Sequence, residues 1–112
     1  MSKHSGARRR GPPSPWIARF VGEIEPGGSV LDLACGSGRH CLFLLQRGHA
    51  VTASDIDVSA LADIEGEAGL EIVAADLESD PWPFSERRFA AVVVTNYLHR
   101  PLFSHILTAL AP

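Results

Sequence analysis

The sequence predicts a layered α/β domain built on a mostly parallel sheet, and three observations carry that expectation. Four short apolar runs, 30–33, 50–53, 70–75 and 89–95, have the length of strands. Segments with helical spacing of apolar residues alternate with them, so parallel strands joined by right-handed crossovers are expected. The first run, Val30-Leu31-Asp32-Leu33, breaks at once into Ala34-Cys35-Gly36-Ser37-Gly38, a glycine pair that turns a buried strand tightly into a helix.

Residues 1–13 read as a disordered basic tail, with Lys3, Arg8, Arg9 and Arg10 set among glycines and prolines. Ser14 is suited to cap a helix with Pro15 at its first position, and Trp16, Ile17, Phe20, Val21 and Ile24 fall on one apolar face. Pro26-Gly27-Gly28 ends that helix. After the first strand and its glycine turn, a second helix is expected over 39–47, with Cys41, Leu42, Leu44 and Leu45 inward and Gly48 at its carboxyl end. The second strand leads to Asp55-Ile56-Asp57. A third, weaker helix through Ala60, Leu61, Ala62 and Ile64 is broken by Gly66 and Gly69, and the third strand runs into Asp76-Leu77. Asp80-Pro81-Trp82-Pro83-Phe84 reads as an ordered turn whose aromatics cover a sheet edge or a helix end. The fourth strand is apolar throughout, as a strand buried on both faces is. Pro101 then opens a last helix through Phe103, Ile106, Leu107 and Leu110.

Bulk properties narrow the function classes. The chain has 112 residues, enough for one domain, and 46% are hydrophobic, enough for a real core. No apolar run approaches the roughly 18 residues that span a membrane. The net charge of −3 hides an asymmetry: no acid precedes Glu23, while half of the ten basic residues lie in the first nineteen positions. Without interleaved aromatics this arm reads as a solvated tail, so nucleic acid is not an expected partner. Cys35 and Cys41 are expected to stay reduced, with no export signal before them, and the expected compartment is the cytoplasm. No histidine or cysteine cluster has metal-ligand spacing, so no metal is expected.

The chemistry lies in acids at strand ends. Asp32 sits inside the end of the first strand, Asp55 follows the second and Asp76 the third. Open α/β sheets bind ligands outside the carboxyl ends of their strands, where the strand order reverses. Asp55 lies 17 residues beyond Gly38, close to the roughly 20 expected of a carboxylate that accepts hydrogen bonds from a ribose diol. The bland alternative makes Asp32 a satisfied strand-end acid, Asp55 a turn residue and Asp76 a cap.

The run from Val30 to Gly38 closely resembles the first motif of class I S-adenosylmethionine-dependent methyltransferases. The resemblance continues through Val51–Asp57, Ala74–Leu77 and Phe89–Leu98, and Asn96–Pro101 is weakly similar to small-molecule methyltransferases of the tellurite-resistance kind. It implies a Rossmann-like three-layer sandwich over 14–112 with S-adenosylmethionine as cofactor. On that basis Ala34, Cys35, Gly36 and Gly38 form the cofactor loop, the two glycines lining the methionine end. Asp32 would orient that end, and Asp55 would hold the ribose hydroxyls. Ile56 would pack on adenine, Asp76 and Leu77 would meet its edge, and Asn96 and Tyr97 would lie beside the transferable methyl. His99 is the candidate general base and Tyr97 an orienting donor; His40 is a second candidate or a cover for the cofactor. The implied activity is methyl transfer to a small-molecule acceptor. A nicotinamide or flavin Rossmann enzyme is the rival, since Cys41 is small enough for the third position of its glycine fingerprint. It assigns Asp76 no role.

In that family further strands follow the last helix, so the chain is expected to stop after the fourth strand and its helix, holding the cofactor half. The fourth strand would then be an edge open to pairing with another chain. A non-catalytic cofactor-binding or association module is the alternative reading.

Overall fold

The computed structural model describes residues 13–94 and 103–111, so the basic tail before Pro13 lies outside them. Helix α1, Pro15–Phe20, starts as its sequence demands: Ser14 Oγ accepts the Ile17 N–H at 3.2 Å, with Pro15 in the first turn. It passes into a 3-10 turn, Val21–Glu23. That tightening rotates the apolar face, so Ile17 and Ile24 are buried while Trp16, expected inward, is 62% exposed and stacks on Phe20.

Strand β1 (Val30–Leu33) is followed by α2 (Arg39–Gln46), β2 (Val51–Asp55) and β3 (Leu70–Ala74). Strand β4 (Ala91–Val94) and helix α3 (Phe103–Ala109) complete the described elements. The strands are parallel, in the order β3-β2-β1-β4. Val30 pairs with Val51 on one side and Ala91 on the other, so β1 is central and its four residues are buried. The chain builds outward from β1 through β2 to β3 and returns to β4 on the opposite side. The crossover therefore reverses beside β1, and the crevice outside its carboxyl end is the expected ligand position.

Two apolar clusters sandwich the sheet. Ile17 of α1, Ile24 just after the 3-10 turn, and Cys41, Leu42 and Leu44 of α2 pack on Val30, Val51, Ala53, Ala91 and Val93. The opposite face joins Leu31 and Leu33 to Leu77, Phe84, Phe89 and Ala109. The aromatics of the β3–β4 connection thus cover a sheet face: Trp82 meets Phe84 edge-on and stacks on His105 of α3.

Two expected elements differ. The third helix is replaced by a single 3-10 turn, Ser59–Leu61. Gly66 and Gly69, both at positive φ, leave too few residues to offset helix nucleation. The fourth strand begins at Ala91, because Phe89 is drawn into another pairing. Its N–H donates to Ala109 O at 2.7 Å and its carbonyl accepts from Ala111 at 2.8 Å, a parallel bridge between Phe89 and Leu110. The end of α3 thus hydrogen-bonds the start of this rim. Among the described residues, the outer edge of β4 has no strand beside it.

Candidate functional site

The parallel sheet brings the carboxyl ends of β1, β2 and β3 to one rim, and with them the loop 34–38, Asp55–Asp57 and Asp76. The loop is held open by backbone geometry. Ala34 has φ +54°, a strained value for a residue with a Cβ, and Gly36 and Gly38 follow at +57° and +81°. Cys35 N–H bonds Ser54 O at 3.1 Å, and Gly38 N–H bonds Cys35 O at 3.0 Å. A Cβ added at Gly36 would meet nothing within 4 Å. Gly36 is therefore required by its conformation and leaves its backbone bare on the open side. No side chain caps the first turn of α2, whose N-cap is Gly38.

Asp55, the last residue of β2, ties this loop to the neighbouring strand. Its Oδ2 accepts the Gly36 N–H at 2.8 Å, and its Oδ1 receives a longer bond from Asp57 N–H at 3.4 Å. Each carboxylate oxygen has two acceptor sites, so this half-buried group retains capacity for two hydroxyl donors. Ile56 beside it is 67% exposed, an apolar surface with no need to face water for the fold. Asp76 caps its own turn, Oδ1 accepting from Glu78 N–H at 3.0 Å, while Asp80 Oδ2 accepts the Asp76 N–H at 2.9 Å. The Leu77 side chain is committed to the second core cluster.

Asp32 is enclosed behind the loop at 1% exposure, not displayed at the rim. Its Oδ2 accepts the Cys41 thiol at 3.1 Å, and its Oδ1 has no partner among the described residues. Burial raises its pKa to about 6; the Cys41 bond opposes that rise and the neighbouring Asp55 charge adds to it. The Ser54 hydroxyl, which the sequence reading overlooked, is likewise buried without a partner.

His40 is buried and bonded within the fold. It is 4% exposed, and its Nε2 accepts the Ser14 N–H at 3.2 Å, clasping the start of α1 to the start of α2. Burial, then the Arg39 charge, holds its pKa below the usual histidine value, so the neutral acceptor form is favoured. Asn96, Tyr97 and His99 lie outside the described residues. Among the described residues no group of three or more metal-ligating side chains gathers. None of the described helices is long and apolar enough to cross a membrane.

Comparison with known proteins agrees with this geometry. The family described as a methyltransferase domain matches residues 30–112. The chain is similar to the 2-heptyl-1-hydroxyquinolin-4(1H)-one methyltransferase of Mycobacteroides abscessus, 30% identical over 94 residues, covering 80% of this chain and 41% of that protein. It is 34% identical over 79 residues to an uncharacterized methyltransferase of Synechocystis sp., covering 68% of this chain and 35% of that one. The chain thus spans about two-fifths of the length of these curated relatives. The crystal structure of the glycopeptide N-methyltransferase MtfA complexed with S-adenosyl-L-methionine superposes with a TM-score of 0.68 at 27% identity, covering 90% of this chain and 51% of that one. With its reversed parallel sheet, its glycine turn and its match over most of its length, the chain belongs to the methyltransferase-domain family of class I S-adenosylmethionine-dependent enzymes.

Proposed function

We propose that this chain holds S-adenosylmethionine at the carboxyl end of β1 and β2 and serves methyl transfer to a small-molecule acceptor. The observation that carries the reading is the Asp55–Gly36 arrangement, a strand-end carboxylate fixed by a bare glycine N–H, with acceptor capacity to spare. The residues present fit the cofactor. Asp55 suits a vicinal diol, Gly36 leaves open space where a Cβ would stand, and exposed Ile56 suits a flat apolar ring. Asp32, with its unpartnered buried oxygen, places negative potential behind the loop, which favours a cationic ligand. Asp76 and the backbone of Leu77 close the far side of the same rim.

When bound, the cofactor supplies a methyl group on an electron-poor sulfonium centre. The work left to the protein is to align donor and acceptor and to exclude water. A base is needed only where the acceptor loses a proton on attack, and for that role we keep His99, with Tyr97 orienting and Asn96 beside the methyl. The small acceptor is supported by the quinolinone acceptor in one relative's name. The cytoplasm is the proposed compartment, in keeping with two free cysteines. Pairing of another strand along the outer edge of β4 is the proposed route to association.

The test is a calorimetric titration with S-adenosylhomocysteine of the wild-type chain and of Asp55→Ala. Saturable binding is expected, weakened in the variant by about 1.5–3 kcal/mol, the contribution of hydrogen bonds to a charged acceptor. Equal affinity in the two proteins would remove Asp55 from the site, and preference for NAD over the homocysteine compound would favour the nicotinamide reading.

A further inference from the structure

Behind the cofactor loop the chain places its only two cysteines together, in a chemistry that methyl transfer does not use. Cys35 is partly exposed on the loop, and Cys41 is buried in the first turns of α2. The turn closed by Gly38 N–H on Cys35 O folds the loop back onto the helix start, so Cys35 packs against the cluster that contains Cys41. The Cys35 thiol is near enough to push the Cys41 thiol pKa up. Cys41 in turn donates to Asp32 Oδ2 at 3.1 Å, which completes a chain of thiol, thiol and carboxylate from the loop surface to the core.

We propose that Cys35 and Cys41 form a reversible redox site for two-electron oxidants, hydroperoxides or small-molecule disulfides, and that the resulting disulfide disables the cofactor loop. The inference rests on the cofactor reading only for its consequence, not for the bond itself.

The steps balance. The Cys35 thiolate attacks a hydroperoxide oxygen, giving a sulfenic acid and releasing the alcohol or water. Cys41 sulfur then attacks the sulfenic sulfur. The S–S bond forms, the S–O bond breaks and water leaves. The Cys41 proton leaves with the hydroxyl as that water, relayed by the Asp32 carboxylate that the thiol already touches. Two thiols are oxidised and one peroxide bond is reduced. With a small-molecule disulfide as oxidant, a mixed disulfide on Cys35 replaces the sulfenic acid, and a thiol leaves in the second step. The roles follow from position. Cys35 is accessible, whereas Cys41 is held well above the usual thiol range by its contact with Cys35, then by burial and the Asp32 charge, and so acts as the resolving group.

The bond has two consequences for the loop. A disulfide of about 2.05 Å is shorter than any contact between two thiols, so Cys35 must move toward α2. Its neighbour Gly36 carries the N–H that holds Asp55, and its own N–H holds Ser54 O. Oxidation also removes the Cys41 thiol donor from Asp32 Oδ2, leaving both oxygens of this buried acid unsatisfied among the described residues.

The reduced chain should be equilibrated with glutathione redox buffers, native and in denaturant, and its free thiols counted by alkylation and mass spectrometry. The expected product is a monomer lighter by two hydrogens that takes up no alkylating agent, with a disulfide formation constant at least about tenfold larger in the native than in the denatured chain. Amide exchange at Gly36 and Gly38 should quicken on oxidation, and affinity for S-adenosylhomocysteine should fall at least about tenfold and return with dithiothreitol. Cys35→Ser should make neither response to oxidant. A native constant no larger than the denatured one, a stable glutathione adduct on Cys35, or unchanged exchange in the oxidised chain would overturn the proposal. If the reduced chain binds no homocysteine compound, the cofactor reading fails, and thiol count and amide exchange still decide the redox site.

Discussion

Phe84→Ala is expected to lower the unfolding free energy by about 3–5 kcal/mol, the range for truncating a buried aromatic. Phe84 is 1% exposed and meets Trp82 and Phe89 edge-on, at centroid distances of 5.2 Å and 6.0 Å. It is the point at which the long β3–β4 connection is fastened to the sheet. Arg87 reinforces the fastening: its guanidinium lies over both the Phe84 and Phe89 rings and reaches Glu71 at 2.9 Å and Thr52 Oγ1 at 3.1 Å. That contact draws the Glu71 carboxyl below its ordinary pKa. Because small domains carry only about 5–15 kcal/mol in all, this one change removes much of the total. The measurement is the urea midpoint, read beside Trp16→Ala, whose exposed ring stacks on Phe20 and should cost within about 0.5 kcal/mol of nothing. Equal losses in the two variants would mean that the connection is not anchored as described.

The second large effect is electrostatic. Asp32 has a folded-state pKa of about 6 against 3.8 for the ordinary group, a difference worth about 3 kcal/mol. The native state holds this proton more tightly than the unfolded chain does. The favourable contribution is therefore complete below about pH 4 and is lost as pH rises through about 6. Above pH 7 the chain folds around a buried charge whose donor among the described residues is the Cys41 thiol. Asp32→Asn keeps the size and an acceptor for Cys41 and removes the ionisation. The wild type should lose about 3 kcal/mol relative to this variant between pH 4 and pH 8. Stability curves of parallel pH slope for the two proteins would refute the burial assigned to Asp32. The same buried charge is what a cationic ligand would offset, so ligand affinity should depend on pH over the same interval.

The central βαβ frame was legible because it rests on local signals. An apolar run of strand length, a glycine pair and a Gly48 cap leave few alternatives for residues 30–48, and the spacing of Asp55 follows from the crossover length. What the residues did not reveal were matters of orientation. A central strand is apolar on both faces, so its pattern cannot say which way Asp32 points, and the structure turns it inward to Cys41. The His40–Ser14 clasp joins positions 26 apart in sequence and leaves no local trace. Trp16 sits at helical spacing, but a helix of six residues that tightens into a 3-10 turn does not keep one face. The pairing of Phe89 with Leu110 shortens the fourth strand through a contact made far later in the chain.

The most direct test of the account is an amide-resolved titration of the isotope-labelled chain with S-adenosylhomocysteine. Saturable shifts are expected at Cys35, Gly36, Gly38, Asp55, Ile56 and Asp57, with the remainder of the sheet little changed. Shifts confined elsewhere, or none in a folded sample, would contradict the claim that the carboxyl end of β1 and β2 is where this chain holds its cofactor.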